Sequence, residues 1–328
     1  MHPTAIRYHR FGEPTEVLRI ESRDLPNLNA GEIRVRMKAR SINPSDLIPI
    51  RGAYPHRTPL PSIPGYEGVG IIEEAGPAVS QSLLGQRVLP LRGEGTWQDF
   101  VTAPAQWAIA VPDSIEDDHA CQLYINPITA WILCTDVLGL HAEDVVIVNA
   151  CGSSIGRIFA QLSSIIGFSL IAITRNDVHT KDLLALGASH VVDGSQTEAK
   201  QAILELTNGQ RADAAIDCVG GLEGAALLRC VRPGGTLISM GLLSGISVNI
   251  AKHALGTGVH VRLFHLRNWM QTVTADRWQE TFRRVISLIE REQLKLMTIR
   301  EHYHFHDAIK AIQAVETRSG VGKIVLTS

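Results

Sequence analysis

The residues with the clearest chemical promise form the run Asn149-Ala150-Cys151-Gly152-Ser153-Ser154-Ile155-Gly156, between an apolar stretch and a segment of helical periodicity. Small residues at such a junction let the turn close and bring backbone N–H groups to a pyrophosphate at the helix N-terminus. The full G-x-G-x-x-G pattern is absent, because Ser153 and Ser154 stand where glycine is easier. A tight strand-to-helix turn that binds nothing is the competing reading of the octapeptide. The next apolar run ends in Thr174-Arg175-Asn176. An acidic residue there would accept hydrogen bonds from a ribose 2′-hydroxyl and repel a 2′-phosphate. A guanidinium suits a phosphate dianion instead, through charge-assisted, bidentate bonds. The pattern predicts NADPH as cofactor, with Arg175 as a ligand and Lys323, where the closing strand begins, as a weaker second cation. Arg175 as an ordinary surface cation is the alternative.

These residues need a scaffold, and the chain supplies one. From Val145 onward, apolar runs alternate with helical patterns. The runs are VVIVN (145–149), SLIAIT (169–174), 190–192, DAAID (213–217), TLISM (236–240) and VHVRLF (259–264). Continuous apolar runs of this length read as buried parallel strands. Six of them with intervening helices predict an α/β, doubly wound Rossmann sheet. Upstream, Ile33, Val35, Met37 and Ala39 alternate with Arg34, Arg36, Lys38 and Arg40, a half-buried strand whose basic side is expected in solvent. Between Asn43 and Pro64, six prolines forbid a long helix and predict a fixed, irregular loop near a site. The C-terminal part carries an amphipathic helix with Trp278, Phe282, Val285, Ile286 and Ile289 on one side, then the strand KIVLT.

Composition removes several classes of function. The chain has 328 residues, with 31 Lys+Arg against 33 Asp+Glu and 5% aromatics. That balance gives no electrostatic footprint for nucleic acid and few stacking platforms, so no nucleic-acid partner is expected. The Arg34, Arg36, Lys38, Arg40 stripe is the only support for a remote RNA-binding alternative. No apolar run approaches the ~18 residues of a membrane span, and the opening residues lack a signal core, so a cytoplasmic protein without a membrane partner is expected. The five cysteines are scattered without a C-x-x-C pair and read as buried thiols.

Several segments together resemble the zinc-independent medium-chain dehydrogenase/reductases. They are SINPSDLIPIRGAYP (41–55), GYEGVG (65–70), NPITAW (126–131), NACGSSIG, DCVGG (217–221), RPGGTLISMG (232–241) and RLFHLRNW (262–269). Within that superfamily the chain is most similar to mitochondrial-type 2-enoyl thioester reductases, then to zeta-crystallin-like quinone reductases. The resemblance implies a discontinuous, GroES-like, β-rich catalytic domain (1–118 and 263–328) around a Rossmann domain (119–262). It also implies pairing of two copies through the Rossmann domain, a homodimer.

The zinc ligands of the metal-dependent branch are matched here by Asn43, Tyr66 and Asn126, and the leftover carboxylates Asp46 and Glu67 are poor zinc ligands, so no metal is expected. Reduction of a double bond conjugated to a carbonyl, in an enoyl thioester or alternatively a quinone, needs no Lewis acid. Hydride reaches the β-carbon, and the protein supplies orientation and an α-proton.

By resemblance Tyr54 is the proton donor, while Asn43 and Thr129 hydrogen-bond near the nicotinamide. Val219, Gly241, Leu242, Phe264 and Leu266 approach the cofactor, and Trp131 and Trp269 line the acyl cleft. His265 departs from the bulky apolar residue usual in the family. A packing role for Tyr54 and for each of these aromatics is the alternative.

Overall fold

The structure is a computed structural model. It describes residues 2–246, 248–317 and 321–328. The chain divides into two compact units. The first comprises Met1–Ile125, Thr274–Ile286 and Leu296–Ser328; the second comprises Asn126–Val273 and Ser287–Lys295. The boundaries therefore fall at 125/126 and 273/274, later than the expected 118/119 and 262/263, and a short piece of the C-terminal part also joins the second unit.

The second unit is a six-stranded, all-parallel sheet. Its spatial order is His190–Asp193, Ser169–Thr174, Val145–Val148, Ala212–Asp217, Val231–Ser239, His260–Leu263. Val146, Ile147 and Val148 are fully buried, as a strand covered on both faces must be. The order reverses at Val145–Val148, whose neighbours are the second and the fourth strands of the unit. In open α/β sheets the ligand crevice lies at this reversal, outside the carboxyl ends of the strands.

The first unit is built on a seven-stranded sheet. Its strands run in the order Ile299–His304, Lys323–Thr327, Glu32–Ser41, Val69–Ala75, Arg87–Leu89, Ile109–Ala110, and Phe100–Pro104 also pairs with Glu32–Ser41. Ile33, Val35 and Met37 pack into a core with Ile72, Val88 and Val101. The basic side of Glu32–Ser41 departs from expectation. Arg34 and Arg40 are only 4% and 0% exposed. Arg34 pairs with Glu74 and donates to the Pro26 carbonyl. Arg40 donates to the carbonyls of Thr96 and Gln98 and to Ser328 Oγ, and its guanidinium lies 5.1 Å from the centre of the Phe305 ring. Arg36 pairs with Glu73, which leaves Lys38 as the exposed member. A face expected in water is thus partly internal, because chain from beyond the strand covers it.

The proline-rich segment is also more ordered than expected. Pro44–Ile50 is a helix, with Pro44 in its first turn, where a missing N–H costs nothing, and the Asp46 side chain accepting from the Asn43 N–H. Residues 51–64 then run irregularly apart from a 3₁₀ turn at Pro55–Arg57.

Candidate active site

In the first unit a buried polar cluster forms around Asn43, which the resemblance sets at a zinc-ligand position. Asn43, Asp46, Glu67 and Lys323 are 2%, 2%, 1% and 6% exposed. The Asn43 Nδ2 donates to Glu67 Oε1 at 2.6 Å and to Ser41 Oγ at 3.3 Å, while its Oδ1 accepts from Lys323 Nζ. Ser41 Oγ donates to the same Glu67 oxygen, and the backbone N–H groups of Tyr124 and Ile125 donate to the other at 3.2 and 2.8 Å. Asp46 accepts from the Asn43 and Tyr66 N–H groups at 2.7 and 3.0 Å. Burial is the main force on the titrating groups. It pushes the Asp46 carboxyl up to about 7, helped by the Glu67 charge and opposed by the two N–H donors and Lys323. It pushes the Lys323 ammonium down, against the pull of Glu67 and Asp46.

Two expectations are corrected here. Lys323 is committed to Asn43 inside the first unit, so a nearly buried ammonium is not a surface cation for a phosphate. Asn43 has both ends of its amide engaged, so it braces the head of the helix Pro44–Ile50 instead of reaching out to a substrate or cofactor. The cluster also does not fit a zinc ion. Glu67 already takes four donors, and a cation of the chain's own stands at the Asn43 oxygen. Among the described residues no group of three or more His, Cys, Asp or Glu is placed to hold a metal.

Tyr54 lies on the loop that follows this helix and is half-buried. The Arg57 guanidinium stacks 3.7 Å from the centre of its ring, and the Arg57 N–H donates to the Tyr54 carbonyl at 3.2 Å. The loop is pinned by Gly52 N–H to Pro49 O and Gly12 N–H to Ile50 O, both 3.0 Å. Gly52 adopts φ 83° with the Phe11 side chain against it, a conformation that disfavours any side chain at this position. A second phenol, Tyr66, senses the charges of Asp46, Arg57 and Tyr54, and desolvation with Asp46 pushes it up to about 12.

In the second unit the run Asn149–Gly156 leaves the carboxyl end of Val145–Val148 and enters the helix Ser154–Ile166. Ser153 caps that helix, its Oγ accepting from the Gly156 N–H at 3.3 Å. A Cβ on Gly156 would lie 2.3 Å from Cys151 Cα, so helix and turn approach as only glycine permits. The N–H groups of Ser154 and Ile155 open the first turn, where helix geometry provides no internal acceptor. Thr174 is buried, its Oγ1 donating to the Asn176 carbonyl at 2.8 Å, and Asn176 caps the next turn. Arg175 between them is exposed and makes no ion pair among the described residues. This set fits a dinucleotide: a 13-residue helix opens with N–H groups that have no helical acceptor, and residues 174–176 carry no acidic side chain but an exposed guanidinium.

Other expected contacts turn inward. Asn149 bridges two strand ends, its Nδ2 donating to Asp217 Oδ1 at 2.8 Å and its Oδ1 accepting from Cys218 N–H at 2.6 Å. It holds the crevice wall, and its amide is not offered to a cofactor. The N–H groups of Val219 and Gly241 are likewise taken by the Asp217 side chain and carbonyl, at 2.9 and 3.1 Å. Leu242 is half-buried beyond Gly241. Phe264, Leu266 and Trp269 are half-buried on the stretch that leaves the edge strand His260–Leu263, and Trp131 is half-buried in the helix Ile125–Ile132, where Thr129 is 6% exposed.

Residues 29–113 match the alcohol dehydrogenase GroES-like domain, and residues 186–326 match the zinc-binding dehydrogenase domain. The mitochondrial enoyl-[acyl-carrier-protein] reductase of Rattus norvegicus is 31% identical over 302 residues, covering 89% of this chain and 80% of the relative. The chain belongs to the zinc-independent medium-chain dehydrogenase/reductases. Among solved structures of this family, a Bacillus thuringiensis protein assigned provisionally as an NADPH:quinone reductase is 51% identical with a TM-score of 0.98, over 100% of this chain and 99% of that one. A mycobacterial member solved with NADPH is 27% identical with a TM-score of 0.88, over 99% and 100%. The family thus has GroES-like and Rossmann portions in one chain, as the two units do.

Proposed function

We propose that this reductase transfers hydride from NADPH to the β-carbon of a conjugated 2-enoyl thioester. The observation that carries the reading is the exposed Arg175 directly after Ser169–Thr174, with no acidic residue at 174–176, in the same unit as the capped helix Ser154–Ile166. NADPH, when bound, supplies the hydride from its nicotinamide C4. The chain's own groups do the rest. Arg175 and the Ser154 and Ile155 N–H groups bind phosphate, and Thr129 hydrogen-bonds at the nicotinamide end. Phe264, Leu266, Trp131 and Trp269 supply the apolar walls. Tyr54 Oη delivers a proton to the α-carbon as charge collects on the carbonyl oxygen. The buried cluster of Asn43, Asp46, Glu67 and Lys323 fixes the helix from which the Tyr54 loop departs.

A quinone is the second reading, favoured by the 51% identity to the Bacillus thuringiensis protein. Steady-state rates with crotonyl thioester and with a naphthoquinone, under identical conditions, separate the two. The expected outcome is a faster thioester turnover; a negligible thioester rate beside a fast quinone rate assigns the enzyme to quinones. The working form is proposed as a homodimer in the cytoplasm. His260–Leu263 is an open sheet edge with Leu263 79% exposed, the kind of edge that a second copy covers. Light scattering on the purified chain and fractionation of cells test these two points. Among the described residues no helix is long and apolar enough to cross a membrane.

A further inference from the structure

His179 closes the turn Asp177–His179 and precedes the helix Thr180–Leu186. Its ring lies across the phosphate-binding turn: a Cβ placed on Gly152 would meet His179 Cδ2 at 2.3 Å and Nε2 at 2.7 Å. Gly152 is therefore the space that the imidazole fills. The ring is half-buried and makes no hydrogen bond among the described residues, which leaves its nitrogens available.

The charged groups that face it come from three elements. Arg157 comes from the helix Ser154–Ile166, Arg175 from the turn after Ser169–Thr174, and Asp182 from the helix Thr180–Leu186. Arg157 pairs with Asp182 at 3.3 Å, and its other terminal nitrogen, Nη1, is buried with no hydrogen-bond partner. Two guanidiniums and one carboxylate thus act on a half-buried ring, an arrangement short of negative charge.

We propose that His179 is a specificity-determining residue, the second cation of the 2′-phosphate seat beside Arg175, which takes a proton from solvent as the phosphate docks. The inference rests on the NADPH reading above and names a residue that reading does not use. Without an anion, desolvation and the Arg157 and Arg175 charges push the imidazole below its ordinary range and keep it neutral at pH 7. A phosphate dianion beside the ring reverses that balance and favours the imidazolium. The sign follows from linkage. The bound state holds more protons than the free state, so the contribution of His179 to affinity is full in acid and disappears as pH rises through the bound imidazole's range. NADH, lacking the 2′-phosphate, draws no such proton.

Calorimetric titration of the whole chain with NADPH and with NADH tests this, at pH 7 in two buffers of different ionisation enthalpy. The 2′-phosphate itself titrates near pH 6 and releases protons in a cationic site, so wild type is read against His179→Gln. The expected result for NADPH is greater proton uptake in wild type than in the variant, with no such difference for NADH. The NADPH-over-NADH affinity ratio falls about threefold in His179→Gln, a loss of one charge-assisted contact. Equal proton counts in wild type and variant overturn the proposal. So does the same difference with NADH, which would put the imidazole at the pyrophosphate. A wild type that binds neither dinucleotide overturns the NADPH reading itself. Unfolding midpoints of the two proteins establish that the variant is folded.

Discussion

Both units gather ionisable side chains at the ends of strands, but they finish them differently. Around Glu67 the first unit closes its cluster: Lys323, Asn43, Ser41 and two backbone N–H groups satisfy one another, and water is shut out. Around Gly152 the second unit leaves donors open: Arg175 is exposed, Arg157 Nη1 lacks an acceptor, and the first turn of Ser154–Ile166 has N–H groups to spare. Buried charge costs free energy unless it is paired and hydrogen-bonded, so the closed cluster is a brace. Unsatisfied donors near a surface wait for a ligand. The same residue types thus indicate stability in one place and binding in the other, and only their partners tell the two apart.

Lys323→Met attacks the brace directly. It leaves Glu67 and Asp46 without their cation, and stability should fall by about 3 kcal/mol or more, seen as a lower urea midpoint with an unchanged slope. A loss below about 1 kcal/mol would show that the cluster does not depend on its ammonium. Tyr54→Phe separates chemistry from bracing. The expected fall in kcat is about 10²-fold, with little change in unfolding midpoint, because one oxygen is lost and the ring stays on Arg57. Unchanged kcat with the wild-type solvent isotope effect would remove Tyr54 from proton transfer and turn attention to Tyr66.

Arg175→Ala tests the open region. Wild type should prefer NADPH by at least about tenfold in kcat/KM, and the variant should lose about that factor, mainly through KM for NADPH. Equal use of both cofactors by wild type would defeat the assignment. The smallest effect belongs to Arg36→Ala, which removes an exposed pair with Glu73 and should cost no more than about 0.5 kcal/mol. Retention of RNA by wild type at low salt, lost in this variant, would revive a basic face that Arg34 and Arg40 have largely withdrawn from solvent.

The Rossmann strands were legible because a strand covered on both faces is apolar throughout; VVIVN and SLIAIT lie within a residue of the strands Val145–Val148 and Ser169–Thr174. The turn and the place of Arg175 just after a strand were legible because strand, turn and helix are consecutive. Alternation in Glu32–Ser41 misled, since period two says which residues share a face and not what covers that face. The helix Pro44–Ile50 did leave a signal, an Asn43-Pro44 entry with Asp46 three residues on, but the density of prolines obscured it. The Lys323–Asn43–Glu67 cluster is assembled by pairing the last strand with Glu32–Ser41, so its members are remote in sequence. A lysine opening the buried run KIVLT was the one trace of its cation. His179 left none, because its meaning comes from a glycine it touches.

The five thiols carry a practical consequence. Each is at most 3% exposed, and burial raises every one of them above the ordinary thiol range. Neither thiolate nor access is available in the native state, so an alkylating reagent finds nothing until the chain opens. Cys121 belongs to the first unit and Cys134, Cys151, Cys218 and Cys230 to the second. The protein therefore carries built-in clocks for each half: the order in which these cysteines acquire a label in dilute denaturant reports which unit breathes first.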